Sequence, residues 1–374
     1  MIKVAIIGGK LQGTEATFLA RLAGYKSILI DSNPKVPASG FCDEFVCGDV
    51  CKRDEEVIAA MKRADFVLPA MENEEVLQAI VDICDKEKLK LAFDMEAYKI
   101  SSSKIKTDKL IHENKIPAPE YYPECEGPYI IKPSGESGST GVRKAETREE
   151  VEEFLLHRND KFNWIVEEYL SGPSYSIEVI GNKKEYRTYK ITEIHMDEVY
   201  DCCRVTAPCK ITKEQEIEFH DIAVRLAKMV NLTGIMDVEV IEYKGQFKVL
   251  EIDARIPSQT PLTVYYSTGI NLLEELADIV LYGEFTREQK ETNLFASYEH
   301  FNFDNHKLHQ MGEHIMGEAR PLVPRENLLN ADVVISDLQD GVKGFKGIFI
   351  NSAETEKELE AKRKKMISTL KLLP

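Results

Sequence analysis

The first hundred residues alternate strand and helix signals, and no other feature of the chain narrows its fold so far. KVAIIG (3–8) reads as a buried strand, TEATFLARLAG (14–24) as a helix closed by Gly24, and SILIDSNP (27–34) as a second strand running into a turn. DEEVIAAMKRA (54–64) is helical, DFVLPAM (65–71) is a strand and EEVLQAIVDICDKEK (74–88) is a helix. This rhythm predicts a parallel, doubly wound sheet. In such sheets ligands sit beyond the carboxyl ends of the strands. Those ends carry Gly8 to Gly13, Asp31, and Met71–Glu72–Asn73.

The pattern changes near residue 100. A serine run (Ser101–Ser103) precedes a lysine-rich helix and the turn-prone PAPEYYPECEGP. We therefore expect an N-terminal α/β domain over 1–100, a central segment over 101–175 and a C-terminal domain over 176–374. Past residue 128 the reading is hairpin-like: YIIKP, a small-residue loop, VRKAET, a helix REEVEEFLLHR and the strand WIVEEYL. SYSIEVIG and KEYRTYKITEI read as antiparallel strands, and EQEIEFHDIAVRLAKMVN as an amphipathic helix.

Charge and cysteine content exclude several classes of function. A formal net charge of −16 over 374 residues argues against a nucleic-acid backbone as partner. MIKVAIIGGK is too short an apolar run for a signal peptide, and no stretch reaches the ~18 apolar residues of a membrane span. Eight cysteines without a C-x-x-C pair read as reduced thiols, so a cytoplasmic location is expected.

Three segments are typed for chemistry. Gly8–Gly9–Lys10–Leu11–Gln12–Gly13 joins a strand to a helix, the setting in which backbone N–H groups meet a phosphate or carboxylate. Lys10 stands where a dinucleotide fingerprint needs its second glycine, and Thr14 follows Gly13 where a P-loop needs lysine. A nicotinamide oxidoreductase is thus disfavoured. In YIIKPSGESGSTGV, Lys132 ends an apolar strand beside a glycine–serine loop able to fold over phosphates, and Lys104 adds a second cation.

The third segment, GIMDVEVIEYKGQFKVLEIDARI, reads as a hairpin centred on Gly245. That centre pairs Glu239 with Glu251 and Asp237 with Asp253, and puts these four and Arg255 on one face. Val238, Val240, Leu250, Ile252 and Ile256 then face the core. Four crowded carboxylates repel one another and require something cationic. Magnesium is the suitable type, calcium is an alternative although there is no EF-hand loop, and nearby lysines neutralising a solvated face are the structural alternative. A non-catalytic amino-acid-binding protein would keep a carboxylate wall but would not need a magnesium triad. The segment HMDEVYD, with His195, Asp197 and Asp201, shows no metal spacing and reads as structural.

A phosphate lysine, a glycine–serine loop, EEYL and then E…E-x-D-x-R together resemble the ATP-grasp superfamily. An α/β domain in front, like that of the biotin carboxylase and PurK-type members, extends the likeness over most of the chain. GGKLQG, LPAMEN, FDMEAYKIS, GIMDVE and EIDARIPSQTPLTVYYSTGINL resemble its pyrrolysine-biosynthesis branch.

The resemblance implies an ATP-grasp fold with a Rossmann-like N-terminal domain and ADP-forming ligase chemistry. In it 3-methyl-D-ornithine is joined through an acyl phosphate to the side-chain amine of L-lysine. ATP and magnesium are the implied cofactors, amino acids the implied partners, and an assembly of two copies stays open. Lys104, Lys132 and Ser139 would hold the phosphates, and Glu167, Glu168, Tyr169 and Leu170 the adenosine. Lys10, Asp31, Asp49 and Val50 would also meet nucleotide. Glu239, Glu251 and Asp253 would bind magnesium, and Arg255 would steady the transferring phosphoryl group. Leu11, Gln12, Glu72, Ser176, Ile177, Glu178, Asp237, Ser258, Gln259 and Thr260 would line the amino-acid site. One departure is visible: Gly172 is followed by Pro173 and Ser174 instead of an acidic ribose ligand.

Overall fold

The structure is a computed structural model, and it describes residues 1–135, 141–156, 158, 163–289 and 292–373. Its first sheet is parallel, with β1 (Lys3–Ile7), β2 (Lys26–Asp31), β3 (Glu44–Cys47) and β4 (Phe66–Pro69) in the order β3-β2-β1-β4. Helices α1 (Leu11–Leu22), α2 (Glu55–Lys62) and α3 (Glu74–Glu87) alternate with the strands, as the sequence predicts. Strand β3 is not foreseen, because its four residues, EFVC, are too few to show a period. Val4, Ile6 and Leu29 face one core, and Ala5, Ile7 and Ile30 face another. Burial on both faces is why these strands read as unbroken apolar runs.

Helices α4 (Met95–Ser101) and α5 (Lys104–Glu113) lead to a small antiparallel sheet of β5 (Tyr129–Pro133), β6 (Arg143–Ala145) and β7 (Trp164–Glu168), ordered β6-β5-β7. Helix α6 (Arg148–Leu156) packs on it through Val151, against Tyr129, Ile131 and Val166.

A large, mostly antiparallel sheet makes up the rest. It contains β8 (Ser174–Asn182), β9 (Tyr186–Thr188), β10 (Thr192–Met196), β11 (Cys202–Ala207), β12 (Thr233–Tyr243), β13 (Gln246–Asp253) and β14 (Phe295–Asp304). Its path runs β13-β12-β8-β10-β11-β14 and continues through strands nearer the C-terminus, with β9 paired to β8. The expected single strand over 184–194 is two, since Tyr189 and Ile191 turn inward between β9 and β10. Helix α7 (Lys213–Met229) covers one face. Helices α8 (Thr260–Thr268) and α9 (Leu272–Tyr282) share the core with α1 and so join this sheet to the parallel one. Helix α10 (Glu356–Leu370) packs on β14. Among the described residues no helix is long and apolar enough to cross a membrane.

Candidate active site

The carboxylate hairpin forms, by a route the sequence does not show. β12 and β13 pair Asp237 with Asp253 and Glu239 with Glu251, as expected. The turn, however, is the two-residue Lys244–Gly245, both at positive φ (+54° and +83°), and it pairs Tyr243 with Gln246. A centre on Gly245 is therefore one residue off near the turn. A bulge restores the register: Leu250 has no opposite number between the Val240–Val249 and Glu239–Glu251 pairs. Val238, Val240, Val249 and Ile252 face the core, but Leu250 does not. Placing it there is corrected, since the bulge turns it into a cavity wall beside Glu251.

β8 lies on the other side of β12, with Glu178 opposite Asp237 and Ser176 opposite Glu239. Ser176 and Glu178 thus share the carboxylate face, but both are buried and line neither of the two cavities that border it, so they do not form the expected substrate wall. The side chain of Ile177 points away into the core with no exposure, so it forms no part of a substrate wall.

A cavity of about 670 Å³ opens where this face meets the carboxyl ends of β1, β2 and β4. Arg255 organises it. Its Nε donates to Glu72 Oε1 at 2.8 Å, its Nη1 to Asp237 at 3.3 Å and its Nη2 to Asp253 at 3.0 Å. Burial opposes the guanidinium charge, yet Asp253, Glu72 and Asp237 hold its pKa well above the usual value. Burial also raises Asp237 and Asp253 well above ordinary carboxylates, against the pull of Arg255. Gln12 Nε2 donates to the same Glu72 oxygen at 2.8 Å, so the first domain is tied to the hairpin through one carboxylate. Lys10, Leu11, Asp31, Ser258, Gln259 and Thr260 line this cavity as well. Asp31 accepts from Gly9 N–H at 2.9 Å, which makes it a brace of the glycine turn.

A second cavity, of about 310 Å³, lies between the small sheet and β12–β13. Lys104, Lys132 and the run Glu167 to Leu170 line it, together with Leu250. Lys132 is buried, with Nζ 2.7 Å from Glu167 Oε1. Burial alone would lower its pKa, and Glu167, then Asp108 and Glu251, more than reverse that. Lys104 Nζ lies 2.7 Å from Glu251 Oε1. Two hinge N–H groups are already engaged, Glu168 with Glu120 O at 2.9 Å and Tyr169 with Pro128 O at 2.7 Å. Glu239 and Glu251 line both cavities, as do Met196 and Tyr200, so the hairpin is a wall that the two share.

Not every expected residue joins the site. Asp49 accepts from Cys51 N–H at 2.9 Å, Val50 is buried in a core of the parallel sheet, and neither lines either of these two cavities. Ser139 lies outside the described residues. Conversely, the HMDEVYD segment, read as structural, contributes Met196, Tyr200 and Asp201 to the first cavity. Glu313 was also missed: it receives Ser258 Oγ at 2.6 Å and Gln259 Nε2 at 2.8 Å. It sits in a short 3₁₀ turn (Glu313–Glu318), and no periodicity marks such a turn.

Among the described residues no three His, Cys, Asp or Glu side chains converge as a ready metal cage. Cations of the protein occupy the hairpin instead, Lys104 on Glu251 and Arg255 on Asp253. Glu239 is pushed to a pKa of about 8 by burial, then by the charges of Glu251 and Asp253. That crowding of carboxylate oxygens is the donor chemistry a hard divalent cation takes.

A nucleotide-type cavity under a small antiparallel sheet, joined through paired carboxylates to an acidic cavity on a Rossmann-like sheet, defines an ATP-grasp enzyme. Residues 101–259 match the ATP-grasp domain family. The chain is 37% identical over 314 residues to the 3-methyl-D-ornithine--L-lysine ligase of Methanosarcina mazei, covering 84% of this chain and 81% of that one. It is 38% identical over 322 residues to the ligase of the same name from Methanosarcina barkeri, covering 84% of each. Among solved structures, biotin carboxylase from Campylobacter jejuni superposes with a TM-score of 0.75 at 17% identity, over 99% of this chain and 91% of that one. N5-carboxyaminoimidazole ribonucleotide synthetase from Thermotoga maritima gives 0.70 at 18%, over 99% and 98%. The chain belongs to the 3-methyl-D-ornithine--L-lysine ligase family within the ATP-grasp enzymes, and is an ADP-forming carbon–nitrogen ligase.

Proposed function

We propose that this chain joins the carboxylate of 3-methyl-D-ornithine to the side-chain amine of L-lysine, at the expense of ATP, in pyrrolysine biosynthesis. The observation that carries the reading is the acidic cavity around Arg255, which shares Glu239 and Glu251 with the second cavity and is lined by residues of the first domain. Two diamino substrates bring spare ammonium groups, and a wall rich in carboxylates suits them.

In the first half-reaction a carboxylate oxygen of methylornithine attacks the γ-phosphorus, the bond to the ADP oxygen breaks and an acyl phosphate forms. Lys132 and Lys104 bind and orient the phosphates, and Arg255 neutralises charge on the transferring group. Magnesium, held by Glu239, Glu251 and Asp253, would offset phosphate charge when bound. The amine then attacks the acyl carbon and expels phosphate. Glu72 orients Arg255 and, with Gln12, shapes the amine subsite. The free cysteines suit a reducing, cytoplasmic setting.

ADP release from ATP and magnesium, followed with pairs of diamino acids, tests the reading. Release that needs both methylornithine and lysine is expected. Release with neither, or with arbitrary pairs at equal rate, contradicts it.

A further inference from the structure

An alkylammonium titrates at about 10.4, and a carboxylate-rich cavity holds it charged more firmly still. An amine must lose a proton before it can attack, so the site needs an acceptor with a route to water. Among the described residues lining the larger cavity there is one imidazole, His314.

His314 is fixed from the tip of the β10–β11 hairpin. Asp197 Oδ2 accepts from Gly312 N–H at 3.0 Å, and Asp201 Oδ2 accepts from His314 N–H at 3.2 Å and pairs with His314 Nδ1. Asp201 is buried, and its carboxylate presses on Gly312 so closely that an added Cβ would lie 2.0 Å from Oδ2. Glycine is required there. A proton on Nδ1 directed at Asp201 leaves Nε2 as the acceptor, the logic by which an acid orients a base. Among the described residues Nε2 has no hydrogen-bond partner, and the side chain is 57% exposed, open to water. The charged and titratable groups that act on this imidazole are Asp201, Glu318 of its own turn and His300 of β14.

We propose that His314 is the catalytic base of the amide-forming half-reaction and that Asp201 is its positioning residue, an inference that rests on the ligase reading above. Nε2 takes one proton from the ammonium, and the freed lone pair forms the C–N bond. The bond from acyl carbon to phosphate oxygen breaks, the second N–H proton leaves with the phosphate, and the imidazolium returns its proton to water.

The test uses His314→Gln with two nucleophiles, lysine and hydroxylamine, the latter already a free base at neutral pH. With lysine, kcat should fall at least about 100-fold, the scale of general-base catalysis, and recover partly as the pH is raised. KM for lysine should stay within about threefold, and hydroxamate formation from methylornithine should stay near the unmodified enzyme. Asp201→Asn should lower kcat with lysine while sparing the hydroxamate. A lysine rate unchanged in His314→Gln overturns the proposal. So does an equal loss with both nucleophiles, which would make His314 a structural residue. If the unmodified enzyme forms no hydroxamate from methylornithine, the ligase reading itself falls and this proposal with it.

Discussion

Arg255 is held by three carboxylates at once, so charge removed from its surroundings has effects beyond the residue replaced. Glu72→Ala should raise KM for lysine more than tenfold and also lower kcat, because Arg255 loses one of its three anchors. Steady-state kinetics checks this; a variant that loses ATP affinity instead would assign Glu72 to the nucleotide. Glu251→Gln removes one charge from the carboxylate face and weakens its ion pair with Lys104. Turnover at saturating magnesium should drop at least about 100-fold with little change in melting temperature. Lys132→Met presents two effects that can be separated. It leaves Glu167 buried without its partner, a defect that typically costs about 3–5 kcal/mol of stability. It also removes a phosphate contact. Adding Glu167→Gln should restore the melting temperature and leave ATP affinity impaired, as calorimetry would show. Full recovery of ATP affinity in the double variant would make Lys132 a structural residue only.

At the level of elements, the hairpin shows how a correct site can be read through an incorrect strand. Alternation identifies Asp237, Glu239, Glu251 and Asp253 as one face, and the structure agrees. Counting to Gly245 succeeds only because a two-residue turn and a one-residue bulge offset each other. Neither is visible in the letters, since Leu250 is as apolar as its core neighbours. Lys10, Gln12, Glu72 and Lys132 were legible because each stands at the end of a patterned strand or just beyond one. Glu313, Asp201 and His314 were not, because they lie in a tight turn or at a hairpin tip and reach the site through tertiary packing.

A second inter-element tie has a testable pH signature. Glu15, fully buried on α1, accepts from Leu262 N–H at 2.7 Å and so caps the first turn of α8, which follows directly on Ser258 and Gln259 and begins at Thr260. Burial pushes its pKa from 4.5 to about 8. The folded state therefore binds the extra proton, and stability should fall as pH rises through the window from about 4.5 to 8. Glu15→Gln keeps the acceptor oxygen and abolishes the titration. Its stability advantage over the parent should widen between pH 5 and pH 9, at up to about 1.4 kcal/mol per pH unit inside the window. Urea unfolding at both pH values reads this directly, and a constant difference would contradict the buried, protonated Glu15.

For the whole molecule, the strand–helix rhythm of the first hundred residues was enough to specify a parallel sheet, and the ends of its strands line the larger cavity. The large antiparallel sheet was legible only in pieces, because its order depends on pairings between distant strands such as β11 with β14. What the pieces share is a single centre, the hairpin wall between the two cavities, and the chemistry assigned to it is carboxylate activation by phosphoryl transfer. That claim is most directly tested with 3-methyl-D-ornithine labelled with ¹⁸O in its carboxylate, incubated with ATP, magnesium and L-lysine. Passage through an acyl phosphate requires one labelled oxygen per turnover to appear in inorganic phosphate, with ADP and amide formed in equal amounts. Unlabelled phosphate, or label recovered in AMP, would contradict the account.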